Sequence, residues 1–183
     1  MEILKITKSK TRERILRLFF SDPDKRYYLR QLERILGLSV GNIRRELLSL
    51  EKSGLFKKEV AGNQTYYFLN KNGAFFNEYK NIIFKTIGVA GTLKKEFEKV
   101  KGIKRVFIFG SFAKNREDSA SDVDLMIIGT VDEDTLISKV SKLESAFGRE
   151  INYHLFDEKE WNKKSKKDSF LKSIAGSPKI EII

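Results

Sequence analysis

The sequence predicts an α+β chain of two domains. Three observations carry this. The first seventy residues hold three runs of apolar residues at helical spacing, then two short extended runs around Gly62-Asn63. The second half holds a continuous apolar run, Val106–Phe109, and a second strand-like run beginning at Asp122 and apolar from Leu125 to Ile128, of the kind that form buried strands between helices. Glycines punctuate the chain where these patterns change, at Gly37, Gly54, Gly88 and Gly91. The boundaries that follow are 1–72, a connecting helix at 73–89, and 90–183.

Composition limits the chemistry. With 183 residues, 40% hydrophobic and 14 Phe, the chain can bury a core. It has no Cys and one His, His154, which excludes disulfides, thiolate nucleophiles and zinc fingers. A metal would be held by oxygen, which favours Mg²⁺, Mn²⁺ or Ca²⁺. No apolar run approaches the ~20 residues of a membrane span. Lys5, Lys8 and Lys10 lack the apolar segment of a signal peptide. The expectation is a soluble cytoplasmic protein with no membrane partner. Net charge is +11, and residues 1–80 hold 17 Lys/Arg against 9 Asp/Glu. A basic first half suits a polyanion such as nucleic acid; a solubility surface is the plainer use of the same charge.

In the first half, Ile15, Leu16, Leu18 and Phe19 mark a helix over residues 11–20, broken by Ser21-Asp22-Pro23-Asp24. Leu29, Leu32, Ile35 and Leu36 mark a second over 27–36, which Gly37 can close. Ser39 can cap a third through Ser53, with Val40, Ile43, Leu47 and Leu50 on one face. Leu55–Val60 and Thr65–Leu69 then read as a hairpin. Helix, break, helix, short glycine turn, helix, hairpin is the order of a winged helix-turn-helix. Phe75, Phe76, Tyr79, Ile82, Ile83 and Ile87 give residues 74–87 a broad apolar face, for packing on this domain or for a dimer interface.

Leu29-Arg30-Gln31-Leu32, Ser39–Leu47, Leu50–Leu55 and Asn63–Tyr67 resemble the arsenic-repressor-like winged-helix regulators over roughly residues 10–70. The resemblance implies a third helix in the major groove of double-stranded DNA. Its first turn would present Ser39, Gly41 and Asn42, with Arg45 on the same side. Asn and Arg can each bond a base edge bidentately, while Arg44, Lys57 and Lys58 suit phosphates. A homodimer is a common form of such domains, and protein contact is their other use.

The second half carries the other chemistry. Gly110-Ser111 ends the strand at Phe109, and Asp122 and Asp124 stand at the start of the next. With period two they share a face, about 7 Å apart along the strand, where like charges repel unless a cation lies between them. The glycine allows close backbone approach to a phosphate, and the serine can donate to it. Gly110-Ser111, Ala113 and Ser121-Asp122-Val123-Asp124-Leu125 together resemble the DNA polymerase β-like nucleotidyltransferases, in their minimal stand-alone branch, over roughly residues 90–160.

That resemblance implies a mixed sheet with flanking helices. It implies a nucleoside triphosphate at Gly110, Ser111, Lys114 and Ser121, with Mg²⁺ or Mn²⁺ on Asp122 and Asp124. Lys114 and Asn115 stand where Arg and Gly are usual; Asn tolerates the left-handed conformation. The third family carboxylate falls on Asn152, which is neutral and cannot serve as a base. Glu150, two residues earlier, is the candidate replacement, and His154 alternates onto the same face. A helix with Trp161 follows, then a helical face to Gly176, and Ile180–Ile183 reads as a last strand or an oligomer arm. Lys163, Lys164, Lys166 and Lys167 read as a solvated helix face.

The function these features imply is a DNA-binding transcriptional regulator with a metal- and nucleotide-binding second domain. By resemblance it is antitoxin-like, beside a small helical toxin partner. The alternative is an active transferase moving a nucleoside monophosphate to a hydroxyl of protein, RNA or a small molecule, its first domain recruiting or dimerising. A third is a pair of interaction modules.

Overall fold

The computed structural model describes residues 9–118 and 120–183. Lys5 and Lys8 of the basic N-terminal stretch lie outside the described residues. The chain divides after Gly88 into two units.

In the first unit, Ser9 caps helix α1 (Lys10–Ser21), its hydroxyl accepting from the Arg12 N–H at 3.2 Å. Ile15, Leu16 and Phe19 are its buried residues. The second helix starts later than its apolar spacing suggests. Tyr27 and Tyr28 form a short strand, β1, and α2 covers Leu29–Leu36. The reason is a distant partner: Tyr27 and Tyr28 pair antiparallel with Tyr67 and Tyr66 on strand β3 (Gln64–Leu69). Tyr27 also sets its ring edge-on to Phe19 at 5.0 Å. Gly37, at φ 59°, ends α2 by donating its N–H to the Glu33 carbonyl at 2.8 Å.

Helix α3 (Val40–Lys52) has Ser39 at its N-cap, but the hydroxyl makes no capping bond. The Ser39 carbonyl instead takes the N–H groups of Asn42 and Ile43, both at 3.1 Å. Strand β2 (Phe56–Ala61) joins β3 through the two-residue turn Gly62-Asn63, and the sheet order is β1-β3-β2. Helix α4 (Phe76–Thr86) adds Ile83 and the following Ile87 to the same core, with Tyr79 and Ile82 against it. Phe75, expected on the apolar face, is 69% exposed because the helix begins after it. Each fully buried Leu, Ile or Phe here contributes about 1.5–3 kcal/mol. One charge is buried among them: Glu46 on α3 accepts from Arg12 Nε of α1 at 2.8 Å.

The second unit begins with α5 (Val89–Phe97), which takes Gly91 into its interior. Strands β4 (Ile103–Ile108) and β5 (Val123–Gly129) pair antiparallel, with the short helix α6 (Gly110–Ala113) between them in sequence. Helix α7 (Glu133–Phe147), capped by Asp132, then leads to β6 (Ile151–Phe156), which runs parallel to β5. Its length is what a parallel crossover needs. Helices α8 (Glu158–Lys164) and α9 (Ser169–Gly176) follow.

The last residues fold back as β7 (Ile180–Glu181) on β4, which places them in the chain's own sheet rather than in an oligomer arm. Arg105 Nε donates to Glu181 at 3.1 Å across that pair. The mixed sheet has the order β6-β5-β4-β7. Along β5 the side chains alternate. Val123, Leu125 and Ile127 share one face, and Asp124, Met126 and Ile128 the other. Phe107, Phe109, Met126 and Ile128 pack with Trp161, Leu171 and Ile174 of α8 and α9. Asp124 therefore sits at the upper end of a face whose lower part is an apolar core.

Candidate functional site

The chemistry-bearing residues of the second unit gather where β4 ends and β5 begins. Phe109 continues β4 and donates its N–H to the Asp124 carbonyl at 3.0 Å. Gly110 follows at φ 71°, and a Cβ placed on it would lie 2.0 Å from Asp124 Oδ2. No L side chain fits there without displacing the carboxylate. The glycine is required twice over, by its backbone angle and by the close approach of the aspartate.

Ser111 follows it in α6, and its carbonyl accepts from the N–H groups of Lys114 and Arg116 at 3.1 and 3.0 Å. Lys114 is exposed at the end of α6. Asn115 closes the turn at φ 53°, the one described residue other than glycine at positive φ. That is the conformation in which the resemblance expects Gly.

Asp122 is exposed and precedes β5 by one residue; Asp124 is partly buried. Burial, and then the charge of Asp122, push the Asp124 carboxyl above the usual aspartate range, against a smaller opposite pull from His154. Asn152 lies opposite Asp124 in the parallel ladder, and its Nδ2 donates to Asp122 Oδ2 at 3.3 Å. An amide thus touches the carboxylate pair where the resemblance leads one to expect an acid.

Glu150 is exposed and one residue short of β6; its carbonyl accepts the Val123 N–H at 2.9 Å. Among the described residues no three Asp, Glu or His side chains come together at metal-holding distance. The structure unites Gly110, Ser111, Asp122, Asp124 and Asn152, and leaves Glu150 outside a carboxylate triad.

Ser121 is engaged locally. Its hydroxyl donates to Asp118 Oδ1 and accepts the Asp118 N–H, each at 2.9 Å. The Ser121 hydroxyl and the Ala120 N–H hold the Asp118 carboxyl below its usual range. Sequence reasoning passed over Arg149, whose Nη1 donates to the carbonyls of Asp118 and Ser121, both at 2.7 Å. It also lies over the Phe112 ring, 5.6 Å from the centroid. Arg149 positions the loop before Asp122 against α6. No local pattern could reveal it, since its partners are backbone oxygens about thirty residues away.

In the first unit, Ser39, Asn42, Arg44, Arg45, Lys57 and Lys58 are all exposed. Arg45 Nη2 donates to Asn42 Oδ1 at 3.2 Å, one helical turn apart on α3. Lys58 bonds Glu51 at the C-terminal end of α3, with Nζ 3.1 Å from Oε2. That bond ties the hairpin to the helix.

Residues 91–175 match the family model described as the nucleotidyltransferase domain. The matched residues lie within the second unit, whose sheet is mixed. A relative in Methanocaldococcus jannaschii, named "Putative protein adenylyltransferase", is 39% identical over 62 residues, which are 34% of this chain and 62% of that protein. The chain thus spans under two thirds of that relative's length. Among solved structures, "Crystal structure of the toxin-antitoxin with AMP-PNP" is similar at 17% identity and a TM-score of 0.38, over 51% of this chain and 72% of that one. A structure titled "Crystal structure of a putative nucleotidyltransferase from Sulfolobus solfataricus" is similar at 20% identity and a TM-score of 0.30, over 51% and 78%.

Proposed function

We propose that the second unit binds a nucleoside triphosphate with Mg²⁺ or Mn²⁺, and that the first is a winged helix-turn-helix that binds double-stranded DNA. The observation that carries the nucleotide reading is the approach of Gly110 to Asp124, which sets a tight turn against a carboxylate pair. Asp122 and Asp124 fit a divalent cation, because their mutual repulsion and the partial burial of Asp124 are relieved by positive charge. When bound, the cation would neutralise the phosphates and the charge that develops on them. Ser111 and the N–H groups of its turn would hold the triphosphate, with Lys114 as a further cation.

The DNA reading rests on the order of elements, the exposed Asn42–Arg45 pair on α3 and the basic excess of residues 1–80. Arg44 and Lys57 would meet phosphates, with Ser39 at the helix start. Lys58 would do so only on leaving Glu51. The whole is then a regulator whose nucleotide domain governs DNA binding. An antitoxin-like role beside a small helical toxin, and a homodimer, extend the same proposal.

The 39% identity to a protein named as an adenylyltransferase favours a second reading, transfer of a nucleoside monophosphate to a hydroxyl. The Asn152 amide on Asp122 weighs against fast transfer. One experiment separates them: α-labelled nucleoside triphosphates with Mg²⁺ or Mn²⁺, with Asp122→Ala/Asp124→Ala as the control. Label on a macromolecule, lost in the control, establishes the transferase. Nucleotide binding without label, with duplex DNA binding, establishes the regulator. Neither binding activity refutes both.

A further inference from the structure

From the side chains next to the carboxylates we infer that Phe170 and His154 form the platform on which the nucleobase of the bound nucleotide stacks. The inference rests on the nucleotide reading above and goes beyond it to the base.

Phe109, just past β4 and bonded through its N–H to the Asp124 carbonyl, packs on the same sheet face as Met126, and His154, on β6 two residues beyond Asn152, shares that face with Asp124. Their ring centroids lie 6.1 Å apart. Phe170 of α9 meets both edge-on, at 5.5 Å from His154 and 6.4 Å from Phe109. Phe109 is buried, His154 half-buried and Phe170 51% exposed. The ladder places His154 two residues along from Asn152, the partner of Asp124, and the Phe109 N–H bonds the Asp124 carbonyl, so the cluster adjoins the proposed phosphate end.

Packing alone does not account for Phe170. Leu171 and Ile174 are the residues that anchor α9 in the core. The Phe170 ring is left half in water, beside an imidazole that can both donate and accept hydrogen bonds. It is also held in place: Asp168 Oδ1 caps the helix by accepting the Leu171 N–H at 2.9 Å, fixing the turn that carries the ring. A base joined through one ribose to phosphates at Asp122 and Asp124 reaches the surface next to them. The exposed aromatic there offers it a π-face.

The test measures, by calorimetry on the full chain with Mg²⁺, the affinity for ATP and for inorganic tripolyphosphate, which has no base. Wild-type protein is expected to bind ATP the more tightly. Phe170→Ala and Phe170→Leu are expected to weaken ATP about tenfold, a typical stacking loss, and to leave tripolyphosphate unchanged. Phe170→Leu keeps apolar bulk on α9, and Trp161 fluorescence reports the intact fold. ATP affinity unchanged in both variants overturns the platform, as does an equal loss for both ligands. Wild-type protein that binds neither ligand overturns the nucleotide reading itself, and the platform with it.

Discussion

The Asn152 amide donates to the Asp122 carboxylate at 3.3 Å, from the strand position opposite Asp124. On the proposed function, a neutral donor therefore occupies the place where a third negative charge would complete the cation site. It lowers the repulsion that a triad would suffer without a cation, and it removes the group that would accept a proton from an attacking hydroxyl.

Asn152→Asp is expected to reverse both effects. Without added metal the variant melts below wild type, because three carboxylates then meet. With Mn²⁺ it gains more in melting temperature than wild type does, and any label transfer rises at least tenfold. Thermal melts with and without Mn²⁺ check the first two expectations, and the labelled-nucleotide assay the third.

Gly110→Ala should disable the site with little damage elsewhere. The added Cβ would strike Asp124 Oδ2, and the backbone angle is strained for alanine. The cost should be about 1–3 kcal/mol in stability. Nucleotide and Mg²⁺ affinity should fall by more than tenfold, read by calorimetry beside a denaturant melt.

Asp124→Asn should stabilise the protein when no metal is added. The Asp124 carboxyl lies above its unfolded value near 3.8, so the folded state holds this proton more tightly than the unfolded chain. The stability tied to it is present below that value and is lost as pH rises through the folded one. At neutral pH the ionised group is a burden, which Asn removes. The variant should melt higher than wild type in chelator and lose the stabilisation that Mg²⁺ gives.

Glu96 supplies the opposite pH dependence. Hydrogen bonds from Lys99 and Lys139 hold its carboxyl down to about 2. Its contribution is full above the unfolded value of 4.5 and disappears as pH falls through about 2. Glu96→Gln should therefore lower the melting temperature at pH 6 and converge with wild type near pH 2. Parallel melts across that range measure the difference.

For the first unit, Asn42→Ala and Arg45→Ala should each cost about 1–3 kcal/mol of discrimination between operator and random duplex. Lys57→Ala should weaken both duplexes alike and reduce the salt slope by about one. Titrations at two or more salt concentrations separate these effects. Equal losses on both duplexes for Asn42→Ala would mean that α3 does not read bases.

Local patterns made most of this readable. Gly37, Gly54 and Gly62-Asn63 marked their turns because each acts on its own backbone, and Asn115 signalled its left-handed angle in the same way. What escaped was set at a distance. Tyr27 and Tyr28 look helical until Tyr66 and Tyr67 pair with them. Ile180 and Glu181 have no partner in a local reading, because β4 lies about seventy residues earlier. Glu150 has the right period for the site face, but β6 starts only after it. In the site, Asp122, Asp124 and Gly110 were legible from spacing. The Asn152 bond to Asp122, the Arg149 clamp and the exposed Phe170 depend on how strands and helices come together.

The placement of the site on two unlike strands has a consequence for how the protein can change over generations. Asp124 stands on β5, which has neighbours on both sides, whereas Asn152 stands exposed on β6 at the sheet margin. Asn and Asp codons differ by a single base. A point mutation at 152 can therefore alter the chemistry at the carboxylate pair without disturbing any buried residue. On the proposed function, that one base change is the step that would separate a nucleotide holder from a transferase.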